Sequence, residues 1–165
     1  MDKQSGFQAT LSMQNVMLVG IPGSGKSTVA EKLARQSVAN TVISTDAIRK
    51  ELYGSESELG VWSDIEARIK ARLKEADDNG SFVIYDATNY RRGFRSNFLI
   101  AASDYAPAHR WTCLIMDTPF EECLKRNAQR ERQVPEFVIK RMNEVLTREC
   151  PSNDEGFEAI IKFSE

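Results

Sequence analysis

Residues 20–28, Gly20-Ile21-Pro22-Gly23-Ser24-Gly25-Lys26-Ser27-Thr28, carry the densest chemistry in this chain. They fit the pattern GxxxxGK[ST], a glycine-rich loop ending in a lysine and a hydroxyl. Glycines let successive backbone N–H groups turn inward around an anion. A helix that starts at the loop aims its positive end at the same charge. Gly23, Ser24, Gly25, Lys26, Ser27 and Thr28 are therefore candidate phosphate contacts. Lys26 would supply a mobile point charge for β- and γ-phosphates, and the Ser27 hydroxyl a ligand for Mg²⁺. An empty glycine turn is the bland alternative. It is a poor one here, because an apolar stretch at 16–19 reads as a buried strand and 29–34 as an amphipathic helix.

Three further clusters follow strand-like runs. In Ser44-Thr45-Asp46-Ala47-Ile48-Arg49, Thr45 or Asp46 suits a helix N-cap. Asp46 would also project into the crevice of the triphosphate loop, where a carboxylate can take the proton of an attacking hydroxyl. Arg49 falls one turn later on the same face and suits an anionic substrate group. The run 82–86 ends in Asp86, followed by Ala87, Thr88 and Asn89. It resembles a strand whose acid faces a metal, without the second acid of a hydrolytic machine; Thr88 and Asn89 also suit a turn. Residues 90–95, Tyr90-Arg91-Arg92-Gly93-Phe94-Arg95, interleave aromatics with basic groups, as a nucleic-acid contact or a solvated helix start would. Arg126 and Arg130, spaced i,i+4 on one expected helix face, suit a lid that neutralises a transferring phosphoryl group.

The elements that must position these groups alternate in type. Strands are expected at 16–20, 41–44, 82–86, 111–117 and 157–163, with helical periodicity between them, hence an α/β fold with a mostly parallel sheet. Val61, Ile65, Ile69 and Leu73 read as one buried stripe, and Phe94, Phe98, Ala101 and Ala102 as another. In such a sheet ligands collect beyond the carboxyl ends of the strands, where the candidate residues fall. A chain of 165 residues suggests one domain, here 15–165, preceded by a polar, loosely held arm at 1–14. With 22 basic and 24 acidic side chains the formal charge is −2, so a polyanion site must be local. No apolar run approaches the roughly 20 residues of a membrane span. The arm lacks the layout of a signal peptide, and a cytoplasmic protein is expected. The three cysteines form no CxxC pair, and Cys113 and Cys123 read as small buried hydrophobes. The single histidine, His109, is expected in a surface turn, which disfavours histidine-dependent catalysis.

Taken in order, four segments resemble the P-loop phosphotransferases of the polynucleotide 5′-hydroxyl kinase family. They are the GIPGSGKST loop, the Asp46-x-x-Arg49 pair, Asp86-Ala87-Thr88-Asn89, and Arg126-Asn127-x-x-Arg130 leading to Val134-Pro135. The resemblance implies an adenylate-kinase-like three-layer fold with strand order 2-3-1-4-5 and a helical lid at about 126–135. It implies ATP and Mg²⁺ as cofactors and a 5′-hydroxyl end of RNA or DNA as acceptor. By position, Lys26 and the loop amides would hold the triphosphate, with Ser27 on Mg²⁺. Asp46 would activate the hydroxyl, and Arg49 would contact the phosphate next to the accepting nucleotide. Asp86 would support the phosphate and acceptor site, with Arg126 and Arg130 coming from the lid. Thr88, Asn89 and Arg92 are further candidate substrate contacts from the residues themselves. Two other readings stay open: a kinase of a small hydroxyl-bearing metabolite, nucleotide sugar or antibiotic, and a regulatory nucleotide-binding switch. The absence of an Asn-Lys-x-Asp motif disfavours a GTPase switch.

Overall fold

The computed structural model describes residues 13–164, so the arm expected at 1–14 lies outside the described residues except for Met13 and Gln14. Five strands are present: β1 Asn15–Val19, β2 Asn40–Ser44, β3 Phe82–Asp86, β4 Trp111–Met116 and β5 Ala159–Phe163. All pair in parallel in the order 2-3-1-4-5. Parallel strands need crossovers, and six helices supply them. They are α1 Lys26–Arg35, α2 Thr45–Tyr53, α3 Trp62–Asn79, α4 Arg92–Tyr105, α5 Phe120–Ala128 and α6 Glu136–Arg148. The central strand is apolar from Val16 to Val19 because both of its faces are covered: Val16, Met17, Leu18 and Val19 are fully buried.

The alternation along the strands divides the core into layers. Met17, Val19, Val83 and Tyr85 face one side and pack with Ile48 of α2, Ile65 and Leu73 of α3 and Phe98 of α4. Val16, Leu18, Ile84 and Leu114 face the other side, against Val29, Ala30 and Leu33 of α1. A third cluster joins Ile21 of the glycine loop to Cys123 of α5 and Ile139 of α6. This is the expected three-layer fold. The Ser44↔Asp86 register brings the ends of β2 and β3 level, so residues following both strands open at one edge.

Several local expectations are corrected. The cap of α2 is Ser44, whose hydroxyl accepts from the Ala47 amide, so neither Thr45 nor Asp46 is spent on capping. Val61 precedes α3 and is exposed, and Phe94 is 48% exposed, so neither belongs to its expected buried stripe. Helix α5 stops at Ala128, which leaves Arg130 on an irregular connector rather than on a shared helical face with Arg126. The connector is pinned at its base by Asn127, whose side chain accepts from the Val134 amide and donates to the Val134 carbonyl, both at 2.9 Å. His109 follows a turn as expected but is half-buried, 3.8 Å from Asp77. Cys113 and Cys123 are buried and Cys150 is exposed, all three as free thiols.

Candidate active site

Gly23 and Gly25 adopt φ of 82° and 90°, the left-handed region that favours glycine. At Gly23 a Cβ would also meet the Cys123 carbonyl oxygen at 2.2 Å, so side-chain absence is what lets α5 pack on the loop. Gly25 caps α1, and the helix begins at Lys26 with its first amides directed to the loop. The loop is braced from outside: Thr118 Oγ1 donates to the Ser24 carbonyl at 2.9 Å, and the Gly20 amide to the Thr88 carbonyl at 3.0 Å. Asn89, at φ 50°, is buried and donates from Nδ2 to the Leu18 carbonyl at 2.7 Å. It ties the turn after β3 to the strand that feeds the loop.

Lys26 is buried and folds back over the loop, donating to the Ile21 carbonyl at 2.9 Å and to Ser24 Oγ at 3.5 Å. Burial pushes its ammonium down to about 8, against the opposing pull of the Asp86 and Asp46 charges. Ser27 Oγ donates to Asp86 Oδ2 at 2.9 Å. Burial raises the Asp86 carboxyl, while Lys26 and the Ser27 hydrogen bond draw it back. This set fits a nucleoside triphosphate with Mg²⁺. A hydroxyl and a carboxylate side by side are hard oxygen donors of the kind Mg²⁺ takes alongside phosphate and water. No cluster of three or more His, Cys, Asp or Glu that could hold a metal ion exists among the described residues.

Opposite this donor set, Arg49 Nη1 donates to Asp46 Oδ1 at 2.9 Å. The Arg49 Nε is buried and has no hydrogen-bond partner, and the residue lines the cavity. The second Asp46 oxygen faces Arg132 Nη1 at 3.8 Å, and the same nitrogen lies 3.7 Å from Glu56. Arg126 bonds Glu122 at 2.9 Å one turn back along α5. Lys26, Ser27, Thr28, Asp46, Arg49, Asp86, Thr88, Asn89, Arg126 and Arg130 all line one cavity of about 910 Å³.

Arg92 is not brought there. It sits at the exposed start of α4, pairs with Asp154 at 2.8 Å and bonds Ser152, on the far C-terminal turn. Its neighbour Arg95 is fully buried against Glu155 at 2.7 Å and donates to the Asn89 and Glu149 carbonyls. Two of the basic groups at 90–95 therefore stabilise the fold. Arg132, Trp62 and Phe94 also line the cavity without having been assigned to it from sequence. The Arg132 signal was its place in the basic run 126–132. Phe94 stood in the aromatic and basic run 90–95, though it also fits an apolar stripe that reads as core; Trp62 gave no signal.

A family model described as an AAA domain (AAA_33) matches residues 16–148. The chain is similar to the L-seryl-tRNA(Sec) kinase of Methanococcus maripaludis, at 30% identity over 138 residues, 78% of this chain and 51% of that protein. The chain thus spans about half the length of this curated relative. Among solved structures, it is similar to a chain of the Pnkp1/Rnl/Hen1 RNA repair complex, with a TM-score of 0.72 and 25% identity, covering 82% of this chain and 44% of that one. It also shares its fold with a gluconokinase from Sinorhizobium meliloti 1021, with a TM-score of 0.58 and 19% identity over 92% of this chain and 82% of that one. No helix among the described residues is long and apolar enough to cross a membrane. With its glycine loop, its 2-3-1-4-5 sheet and a matched span of most of its length, the chain belongs to the AAA_33 family, in the P-loop kinase form of the fold.

Proposed function

We propose that this protein transfers the γ-phosphoryl group of ATP, with Mg²⁺, to the 5′-hydroxyl end of RNA or DNA. The observation that carries the reading is the Asp46–Arg49 pair, open to the same cavity as Lys26, Ser27 and Asp86. Not used in capping and 48% exposed, the Asp46 carboxylate, though paired with Arg49, would accept the proton of an attacking hydroxyl. Arg49 orients that carboxylate while its buried Nε awaits an anion, here the phosphate following the accepting nucleotide. Lys26 and the loop amides hold the donor phosphates, and Arg126 and Arg130 lend positive charge from the lid side. Bound between Ser27, Asp86 and the phosphates, Mg²⁺ would supply Lewis-acid charge neutralisation. The RNA repair likeness and the tRNA kinase relative support a nucleic-acid acceptor. The formal charge of −2 is compatible with a single end-binding site, which needs few phosphate contacts.

A second reading, phosphorylation of a hydroxyl on a small molecule or on a group carried by tRNA, is favoured by the same relative and by the walled cavity. Following labelled γ-phosphate from ATP to 5′-hydroxyl oligonucleotides, aminoacyl-tRNA, small alcohols and water separates the possibilities. Transfer to the oligonucleotide end is expected. Transfer to water alone would sink both readings.

A further inference from the structure

The cavity that holds Asp46 also runs along α3 and α4, which pack against each other. Leu59, Trp62, Phe94 and Phe98 line this annex, with Glu66 and Asn97 as polar groups. Trp62 and Phe94 are 51% and 48% exposed, although both are rings large enough to anchor a core. A concave apolar surface with a few polar groups is how ligand sites are built, and half-bare aromatic rings inside one are a stacking surface. The Phe94 ring is not loose. Tyr90 meets it edge-on at 5.5 Å, and the Arg91 guanidinium lies 5.9 Å from its centroid and 5.5 Å from that of Tyr90. A flat guest therefore meets a held wall rather than a mobile one.

Resting on the proposed function above, we infer that this annex seats the nucleobase of the accepting nucleotide, stacked on Trp62 and Phe94. An aliphatic guest would need neither rings nor polar edges. A base uses both, since every base has a π-face and a hydrogen-bonding edge that Asn97 and Glu66 can meet. Arg49, with its unpartnered Nε, lines the same cavity and suits the phosphate attached to that base and sugar. The acceptor would then be recognised by three contacts: its hydroxyl at Asp46, its phosphate at Arg49 and its base in the annex.

The chain has two tryptophans; Trp62 lines the cavity and is 51% exposed while Trp111 is buried away from it, so a ligand-induced change in emission reports chiefly on Trp62. The test compares a nucleoside 3′-phosphate with its abasic counterpart, deoxyribose 3-phosphate, in the full chain. The base-bearing compound is expected to change the Trp62 emission saturably and to show a KM roughly ten- to hundredfold below that of the abasic one, the scale of one base stack. Trp62→Leu and Phe94→Leu should narrow that gap. Equal KM values with phosphorylation intact would overturn the stacking site and leave the kinase reading standing. An emission change of equal size from the abasic compound or from a short alkyl alcohol would likewise overturn it. Saturable emission change by the base-bearing compound alone, without phosphoryl transfer, would uphold the site and overturn the acceptor reading.

Discussion

The two halves of this cavity, the donor and acceptor sides of the proposed reaction, are built on opposite plans. On the donor side the central groups are held by the protein itself: Lys26 by the Ile21 carbonyl, Asp86 by Ser27, and the loop by Thr118 and Thr88. Those groups come from one contiguous turn and the end of the adjacent strand. On the acceptor side Asp46, Arg49, Arg132 and Glu56 are held chiefly by one another, across α2, the α2–α3 connector and the connector after α5. The donor half is therefore ready before a ligand arrives. The acceptor half is an ion-pair network, which a substrate bound there as proposed would have to rearrange. Preorganised charge contributes most where it does not have to move, so the two halves should respond differently to substitution and to pH.

The sharpest way to break that contrast is Asp46→Asn. The change removes the proton acceptor and keeps the shape, so turnover should fall by ~10²–10⁴-fold, the scale of a lost general base. Nucleotide affinity, a property of the donor half, should change less than about threefold, far below the ~10²-fold or greater loss in turnover. Single-turnover phosphoryl transfer and nucleotide titration of the same preparation check both. Loss of nucleotide binding alongside turnover would show that Asp46 serves the donor half and that the division is wrong.

The same contrast explains what could be read from the sequence. The donor half is written in consecutive residues, because a phosphate-binding turn is a local backbone structure whose glycines and lysine must be adjacent. The strand order followed from resemblance, and the five strands followed from apolar runs that a two-sided parallel sheet requires. In the acceptor half the individual residues were visible but their company was not. Composition could not distinguish a solvated or ligand-binding arginine from a structural one. In the sequence Arg95 and Arg92 group with Tyr90 and Arg91, although a buried carboxylate and a distant turn claim them. Nor can helical periodicity tell a core ring from a cavity ring: Phe94 fits a buried stripe as well as an aromatic contact, and nothing in the sequence marks Trp62 until α3 and α4 are placed. Ser44 displaced Thr45 and Asp46 as cap because β2 ends one residue before the helix begins.

A smaller effect sharpens the comparison from the donor side. Burial depresses the Lys26 ammonium to about 8, from the 10.5 of a solvated lysine. Between those values the unfolded chain binds more protons than the folded one, so this group favours folding increasingly as pH rises from about 8 towards 10.5. Nucleotide binding has the opposite sign, because the phosphates need the charged form. As far as Lys26 is concerned, affinity for ATP should be near its maximum at about pH 7 and fall by up to about tenfold per pH unit above the Lys26 value. Calorimetry at pH 9 should detect proton uptake on binding. Lys26→Arg should abolish that uptake, since a guanidinium stays charged throughout. Affinity independent of pH from 7 to 9.5 would show that Lys26 stays charged throughout that range.

The smallest expected effect concerns Arg132, the residue that joins the connector after α5 to Asp46 and Glu56. Its contacts measure 3.8 and 3.7 Å, and its side chain is 36% exposed. Partly exposed pairs of this kind contribute about 0–1 kcal/mol. Arg132→Ala should therefore leave folding stability within about 1 kcal/mol of the parent in a urea titration. One kcal/mol corresponds to about a fivefold change in an equilibrium constant, so acceptor KM should shift by no more than about that, with kcat close to the parent. The direction of the shift is informative. A lower KM would mean that Arg132 competes with substrate for Asp46, as a network that must be rearranged requires. A higher KM would mean that it helps hold the connector over the bound acceptor. A loss in kcat of a hundredfold or more would put Arg132 on the transferring phosphate beside Arg126 and Arg130, and the acceptor half would then carry preorganised charge of its own.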